Sequence, residues 1–537
     1  MTEQSAPRLD PRLAPRLELR VHAALTPSHP AIVCGDTRLS YAQLEALANQ
    51  IANVLRALGL QRGEHIASLL GNRPQALALA WAAYRCGLYL TPLATSLAPA
   101  ELAYLIDDCD ARLVVTEAAL QALVAPLAEA GLDDVRWLSF DRGGPGFGAI
   151  EALIDAAPAT PHEHEPAGAL MVYTSGTTGA PKGVIRPLPP PDFAGTPAFA
   201  ADLQVLFGLG DPGVRYLCTA PLYHAASLRF SLAVTAGGGT VHVMDRFDAD
   251  EALRLLQDHA ITHSQWVPTM FQRLLALPAE RRRRFAAPQH RMAVHAAAPC
   301  AAGLKRSMID WWGPIVREYY SGSEGIGMTL IDSAEALQKL GSVGRACKGT
   351  VHIVGPAGNE LPAGEIGVVH FSGVTPFAYY KAPAKTAAKT SPQGWQTLGD
   401  LGHVDADGCL FLTDRLDDMI ISGGVNLYPQ EIEAVMLEVP GVWDCAVVGI
   451  ADERFGERPV AFIVATPEVT DSTELAARVR AHTQRLLGRI KQPDAIHLVD
   501  SLPRTATGKV LRRRLRELLS APDRDRVAAG EFLEASD

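Results

Sequence analysis

Between residues 21 and 160 the chain alternates short apolar runs with longer stretches whose apolar positions recur at helical spacing. Leu44, Leu47, Ile51, Val54 and Leu55 fall on one face of a helix predicted over residues 41–58. Residues 65–70 form a continuous run that suits a buried strand, an Ala/Leu-rich helix follows to Tyr84, and residues 112–116 form a second strand. Strand and helix in alternation predict a mostly parallel sheet covered on both faces. The pattern pauses at Pro187-Leu188-Pro189-Pro190-Pro191, where a helix is sterically barred. It then resumes with strands over 216–219, 240–244 and 261–266, a helix beginning near His224, and another opening at Pro268. A strand ending at His295 precedes a helix that carries Leu304, Met308 and Trp311. Over 341–413 the runs shorten and are cut by Gly and Pro, as in a small β-subdomain. Beyond it, strands over 445–450 and 460–464 lie between helices starting near Pro429 and Ser472, a small α+β unit reaching about Leu519.

Length and composition narrow the class. A chain of 537 residues, 48% hydrophobic and 20% charged, can bury a large core and divides into more than one domain. Its net charge of −10 argues against nucleic-acid binding through phosphate neutralisation, so an anionic ligand must be met locally. The eight cysteines are scattered with no Cys-x-x-Cys pair, and no His cluster has metal-ligand spacing. Buried reduced thiols are expected, as in a cytoplasmic enzyme. Residues 1–20 lack the apolar core of a signal peptide, and no apolar run approaches about 18 residues, so no spanning helix is expected. Residues 522–537 read as a charged tail.

The chemistry concentrates first in Tyr173-Thr174-Ser175-Gly176-Thr177-Thr178-Gly179-Ala180-Pro181-Lys182-Gly183. A short apolar run leads into a turn without large side chains. Gly176, Gly179 and Gly183 are expected to free the backbone for positive φ, while Thr174, Ser175, Thr177 and Thr178 set hydroxyls beside backbone N–H groups. Such a nest suits a polyphosphate. It is not the loop of NTPases, because Gly183 rather than Ser or Thr follows Lys182, and Pro181 opposes the helix that loop opens. An ordinary Ser/Thr/Gly surface loop is the competing reading.

Ser-Gly-Thr-Thr-Gly-x-Pro-Lys-Gly over residues 175–183 resembles the signature of the adenylate-forming superfamily: acyl-CoA synthetases, firefly-type luciferases and peptide-synthetase adenylation domains. Four further stretches match in the same order. Tyr319-Tyr320-Ser321-Gly322-Ser323-Glu324-Gly325 resembles the Tyr-Gly-x-Thr-Glu element, with Ser321 in place of Gly and Ser323 in place of Thr. Trp395-Gln396-Thr397-Leu398-Gly399-Asp400 resembles the ribose element, Asp414-Arg415-Leu416-Asp417 with Gly423 and Gly424 the hinge and glycine loop, and Pro503-Arg504-Thr505-Ala506-Thr507-Gly508-Lys509 the C-terminal lysine motif.

The resemblance implies an α/β fold, with a large N-terminal domain of doubly wound sheets plus β-subdomain over 1–416 and a small mobile α+β domain over 417–521. It implies a loop, Thr174 to Gly179 with Lys182, that closes over the β- and γ-phosphates of ATP. Tyr320 is then expected on adenine, Ser323 on the phosphates, and Glu324 with Thr174 on Mg²⁺. Asp400 is expected on the ribose and Arg415 on ribose or phosphate. Lys509 would carry the first half-reaction, Asp417 would be the pivot, and Gly423 and Gly424 would let the pantetheine of CoA pass. His224, in Pro221-Leu222-Tyr223-His224, would border the substrate carboxylate; a capping or packing histidine is the alternative. Ala297, in His295-Ala296-Ala297-Ala298-Pro299-Cys300, would lie against adenine, although the same small residues suit a tightly packed strand end.

The activity implied is that of an acid:CoA ligase, which joins a carboxylic acid to CoA through an acyl-adenylate and releases AMP and pyrophosphate. The texture around His224, His295 and Tyr320 looks most like bacterial fatty-acid and bile-acid-type ligases, pointing to a fatty or bulky alicyclic acid. Absence of an Asp near His224 counts against an amino acid. An adenylation enzyme loading a carrier protein, or an aryl-acid CoA ligase, are the alternatives; a luciferase-like oxygenase and a non-enzymatic adenylate binder are further rivals. Trp266 and Thr269 are expected along the acid pocket. Arg281 to Arg284 either meet the CoA phosphates or form a solvated run. Oligomeric state is left open, a homodimer among the options.

Overall fold

The helix Tyr41–Ala57 opens with a reciprocal cap: the Ser40 hydroxyl accepts from the Gln43 N–H at 3.3 Å, and the Gln43 side chain accepts from the Ser40 N–H at 2.9 Å. Leu44, Ile51, Val54 and Leu55 are fully or almost fully buried on its inner face, and Leu47 packs at the margin. This is the face the spacing predicts. The computed structural model describes residues 19–129, 135–174, 181–191, 198–504 and 509–519.

Four sheets organise these residues. The first is parallel throughout and six-stranded, running Gly148–Ala149, Arg136–Phe140, Ala111–Glu117, His65–Ser68, Tyr89–Pro92, Ala169–Leu170. The second has 13 strands. Its parallel centre contains Pro30–Cys34, Thr240–Val243, Arg215–Cys218, His263–Trp266, Met292–His295 and Val316–Tyr320. From Val316–Tyr320 outward the pairing turns antiparallel. The β-rich stretch after residue 341 therefore continues this sheet edge-on, through Met328–Ile331 and Ser342–Lys348, while keeping a hydrophobic cluster of its own around Phe371 and Leu410.

A third, three-stranded sheet holds Val172–Thr174, Lys182–Ile185 and Ala378–Tyr379. The last sheet begins at Ile420–Ser422 and is flanked by Pro429–Met436, Ser472–Leu486 and Arg512–Leu518, with two hydrophobic clusters drawn from the same elements. All eight cysteines are free thiols, as expected, and five of them are buried. Among the described residues no helix is long and apolar enough to cross a membrane.

Candidate active site

Thr174 and Lys182 face one another across the antiparallel pair Val172–Thr174 and Lys182–Ile185. The glycine-rich loop thus joins two strands of a hairpin, where an NTPase loop would open a helix. Ser175, Gly176, Thr177, Thr178 and Gly179 lie outside the described residues. Gly183 does not have positive φ, contrary to the sequence-based expectation. A Cβ there would stand 2.2 Å from Met171 Cε and 3.3 Å from the Tyr173 ring, so close packing is what requires glycine. The Lys182 ammonium lies 5.8 Å from the Tyr379 ring centroid. Burial and then the charges of Lys385 and Lys389 press its pKa down, with Asp417 opposing. Three lysines therefore converge where a polyphosphate is expected.

Tyr320 ends the strand Val316–Tyr320 and donates its hydroxyl to Asp400 Oδ2 at 2.5 Å. Arg415, opposite Asp400 in the register of the pair Gln396–Val404 and Leu410–Arg415, brings Nε to 3.3 Å from Asp400 Oδ1. Burial works against the Arg415 charge, but Asp400 and Tyr320 carry its pKa above its ordinary value. Three residues separated by up to 95 positions thus share one carboxylate.

Glu324 is 8% exposed, and its Oε1 accepts from the Tyr379 hydroxyl at 3.0 Å. Its backbone is braced as well. Arg186 donates to the Glu324 carbonyl at 2.9 Å and to the Gly325 carbonyl at 2.6 Å, while Arg229 approaches the Ser323 carbonyl at 3.4 Å. Two arginines thereby hold three consecutive peptide units in the turn that carries the candidate metal carboxylate. Glu324 and Thr174 are hard oxygen donors of the kind Mg²⁺ takes. Among the described residues no group of three or more His, Cys, Asp or Glu is placed to hold a metal. An ion here would be shared with the phosphates of the nucleotide, its common mode of binding.

His224 occupies the N-cap position of the helix Ala225–Ala236, yet its side chain makes no capping hydrogen bond. Its Nε2 is buried without a hydrogen-bond partner, and burial pushes its pKa down to about 4. The ring is neutral at pH 7, and its Nε2 carries no hydrogen bond. Ala297 has φ of 77° and is exposed, so this turn beyond Met292–His295 is not packed tight. A non-glycine residue in the left-handed region is uncommon and costs conformational energy. Trp266, by contrast, packs edge-on against Phe247 and Trp312 in the aromatic core.

Lys509 stands among charges from both parts of the chain. Its ammonium is disfavoured first by burial and then by Arg415, with Asp418 and Asp400 in opposition, and its pKa falls to about 8. Asp418 is buried and paired with Arg512 at 3.4 Å; Arg512 in turn holds Glu433 at 2.6 Å. Asp417 lies exposed in the short turn Leu416–Asp418. Gly423 and Gly424 join Ile420–Ser422 to Val425–Leu427 with φ of 55° and 78°, the two positive angles that a tight hairpin turn demands. A Cβ on Gly424 would meet nothing within 4 Å, and the exposed side chains of Ile421, Val425, Phe455 and Ile490 surround this turn with apolar surface.

A pH profile follows. Lys509 is protonated below about pH 8 and loses its charge above it, so kcat/KM for acyl-adenylate formation should fall tenfold per unit at higher pH, with a midpoint near 8. Bound ATP adds negative charge and moves the corresponding limb of kcat upward. A flat profile to pH 10 in ATP–pyrophosphate exchange would remove Lys509 from the step.

Sequence motifs left out Tyr379, Arg186, Lys385 and Lys389. Lys385 and Lys389 are spaced by four on and just after the short helix Pro383–Ala388, the only signal that they share a face. Arg281 pairs with Asp250 and Arg284 with Glu280, as a solvated run does.

The AMP-binding enzyme family matches residues 19–381, and the AMP-binding enzyme C-terminal domain matches residues 431–509. The chain is 33% identical to an indoleacetate–CoA ligase of Aromatoleum aromaticum over 93% of its length and 97% of that protein. It is also 33% identical to the long-chain-fatty-acid–CoA ligase FadD13 of Mycobacterium tuberculosis, over 94% and 98% of the two chains. The crystal structure of ATP-bound MatB from Rhodopseudomonas palustris superimposes with a TM-score of 0.80 at 29% identity, covering 94% of this chain and all of that one. With both family segments matched in order and relatives aligned nearly end to end, the chain belongs to the AMP-binding enzyme family and is an ATP-dependent acid:CoA ligase that works through an acyl-adenylate.

Proposed function

We propose that the acid activated is a fatty or bulky alicyclic carboxylate. The observation that carries this reading is the neutral, unpartnered Nε2 of His224 at the mouth of Ala225–Ala236, a helix with no acidic side chain. A carboxylate can take a hydrogen bond there. A substrate ammonium would find no counter-charge on that helix.

In the proposed chemistry Asp400 accepts the ribose hydroxyls, Tyr320 stacks on adenine and Arg415 faces the ribose and α-phosphate. Ala297 lies along the base, and Thr174 to Gly179 with Lys182 and Ser323 enclose the phosphates. Lys385 and Lys389 add positive charge where pyrophosphate departs. Mg²⁺, held by Glu324 with Thr174 and the phosphates, would neutralise charge on the leaving group. One carboxylate oxygen attacks the α-phosphorus, the bond to the bridging oxygen breaks, and pyrophosphate leaves. Lys509 donates to the oxygens between carboxylate and α-phosphate, where negative charge crowds most in the transition state.

The second step needs a thiol where Lys509 stands. We assign residues 417–521 as a unit that turns about Asp417, withdrawing Lys509 and bringing Gly423 and Gly424 to the site. The bare backbone at Gly424 and the apolar rim of Ile421, Val425, Phe455 and Ile490 suit pantetheine. The thiol then attacks the acyl carbon and AMP leaves.

A second substrate class, aryl acids, is favoured by the names of other relatives: a 2-succinylbenzoate–CoA ligase of Bacillus licheniformis, 32% identical over 93% of this chain, and a feruloyl-CoA synthase of Amycolatopsis, 33% identical over 92%. CoA-dependent AMP release across saturated fatty, bile-type, aryl and amino acids separates the readings. The highest kcat/KM is expected for a fatty or alicyclic acid. Preference for an aryl acid overturns the substrate proposal, and pyrophosphate exchange without transfer to CoA overturns the acceptor in favour of a carrier protein.

A further inference from the structure

A cavity of about 240 Å³ opens away from this chemistry, and its polar lining is cationic or titratable: His29, Arg38, Arg215, His242 and His259 around Thr240. None of its lining residues is acidic. Strand register explains how these side chains meet. Val33 pairs with His242 on one side and with Arg38 on the other, so Arg38, Val33 and His242 form one row across three strands. Arg215 pairs with Thr240, two residues before His242, which places the next row on the same face. Ile32 and Val241 alternate to the opposite face and lie in the hydrophobic core. Arg215 begins the strand that runs to Cys218 and on to His224. The cavity therefore sits at the amino ends of the parallel strands, opposite the carboxyl ends that carry the catalytic residues.

His242 is 6% exposed, and its Nδ1 is sealed from solvent with no hydrogen-bond partner. Its ring centroid lies 4.7 Å from that of His259. Among the described residues Arg38 makes no ion pair. Arg215 is steadied by its Nε–H donating to the Ala260 carbonyl at 2.8 Å, and His29 Nε2 approaches the Thr240 hydroxyl at 3.4 Å. Two guanidinium groups and three imidazoles around a space of this size form a receptor for negative charge. Pro30, Val33 and Pro212 supply an apolar side that a bare inorganic ion would leave uncovered.

We propose that this cavity is a second ligand site, separate from the catalytic one, which binds a small organic phosphate monoester. The dianion sits between Arg38, Arg215 and His242, and its organic part lies on Pro30, Val33 and Pro212. Binding takes up protons. Burial, then His259, Arg215 and Arg38 keep the empty His242 neutral, with its pKa down to about 3. His29 is lowered by burial. His259 is lowered by burial and Arg254 and partly restored by Asp258 and Glu251. A dianion among these groups favours their charged forms, so affinity rises as pH falls, down to about pH 6, where the monoester takes up its own second proton.

Calorimetric titration of the full chain with phenyl phosphate, its nucleotide site first saturated with AMP, tests the proposal. One equivalent should bind, about threefold more tightly at pH 7 than at pH 8.5, where the monoester is a dianion at both values. Arg38→Gln, on an exposed edge strand, and His242→Phe should each weaken it about tenfold or more while ATP–pyrophosphate exchange is retained. Arg38→Gln decides the matter if His242→Phe unfolds. No binding at either pH, or equal binding in Arg38→Gln, overturns the site. Inorganic phosphate binding as tightly as phenyl phosphate overturns the assignment of an organic ligand.

Discussion

Lys509→Ala is expected to lower ATP–pyrophosphate exchange about 10³-fold while transfer of a supplied acyl-adenylate to CoA stays within about threefold of the parent enzyme. The asymmetry follows from where the charge is needed. In the proposed first step two anionic groups approach one another at the α-phosphate, the place assigned to Lys509, which lies among Arg415, Asp400 and Asp418. In the proposed second step a neutral acyl carbon is attacked, and the lysine is assigned no part in it. Lys509→Arg keeps the charge in a bulkier planar group, so it should recover part of the exchange and move the basic limb of the pH profile upward. Equal loss in both half-reactions would mean that the residue supports the fold instead. Unchanged exchange would remove it from catalysis.

Asp400→Ala should raise KM for ATP about 10²-fold and leave KM for the acid within a factor of about three. The carboxylate is 7% exposed and receives both the Tyr320 hydroxyl and Arg415, so its loss frees a half-buried guanidinium and a phenol from the position they share. Asp400→Asn keeps the shape and separates charge from contact. Both variants carry a second signature. Asp400 is one of the charges that hold up the Lys509 pKa, so removing it should shift the basic limb of adenylate formation below pH 8. A KM effect without that shift would detach Lys509 from the Asp400 site.

Several features were legible from residue order because they depend on neighbours in the chain. The helix over residues 41–58, the run of parallel strands and the start at Pro268 each follow from local spacing and turn chemistry, whereas the Ser40 cap and the hairpin turn at Gly423 and Gly424 emerged only with the structure. The motifs around Tyr320, Asp400, Arg415 and Lys509 named groups that the fold then assembled into one charge network. Gly183 shows the limit: its glycine was readable, but the reason for it is the Met171 methyl group behind the strand.

By itself, the sequence determined the reaction class, since five separated motifs carry it, together with the α/β alternation that periodicity encodes. Only tertiary structure decided which distant groups share a space. Tyr379 reaches Glu324 across 55 positions, Arg186 holds a turn 138 residues away, and strand register brings Arg38 and His242 into one row. Hydrogen bonds and charges act over a few ångströms, and in a long sheet those distances are set by strand order and register. Neither can be read from spacing along the chain.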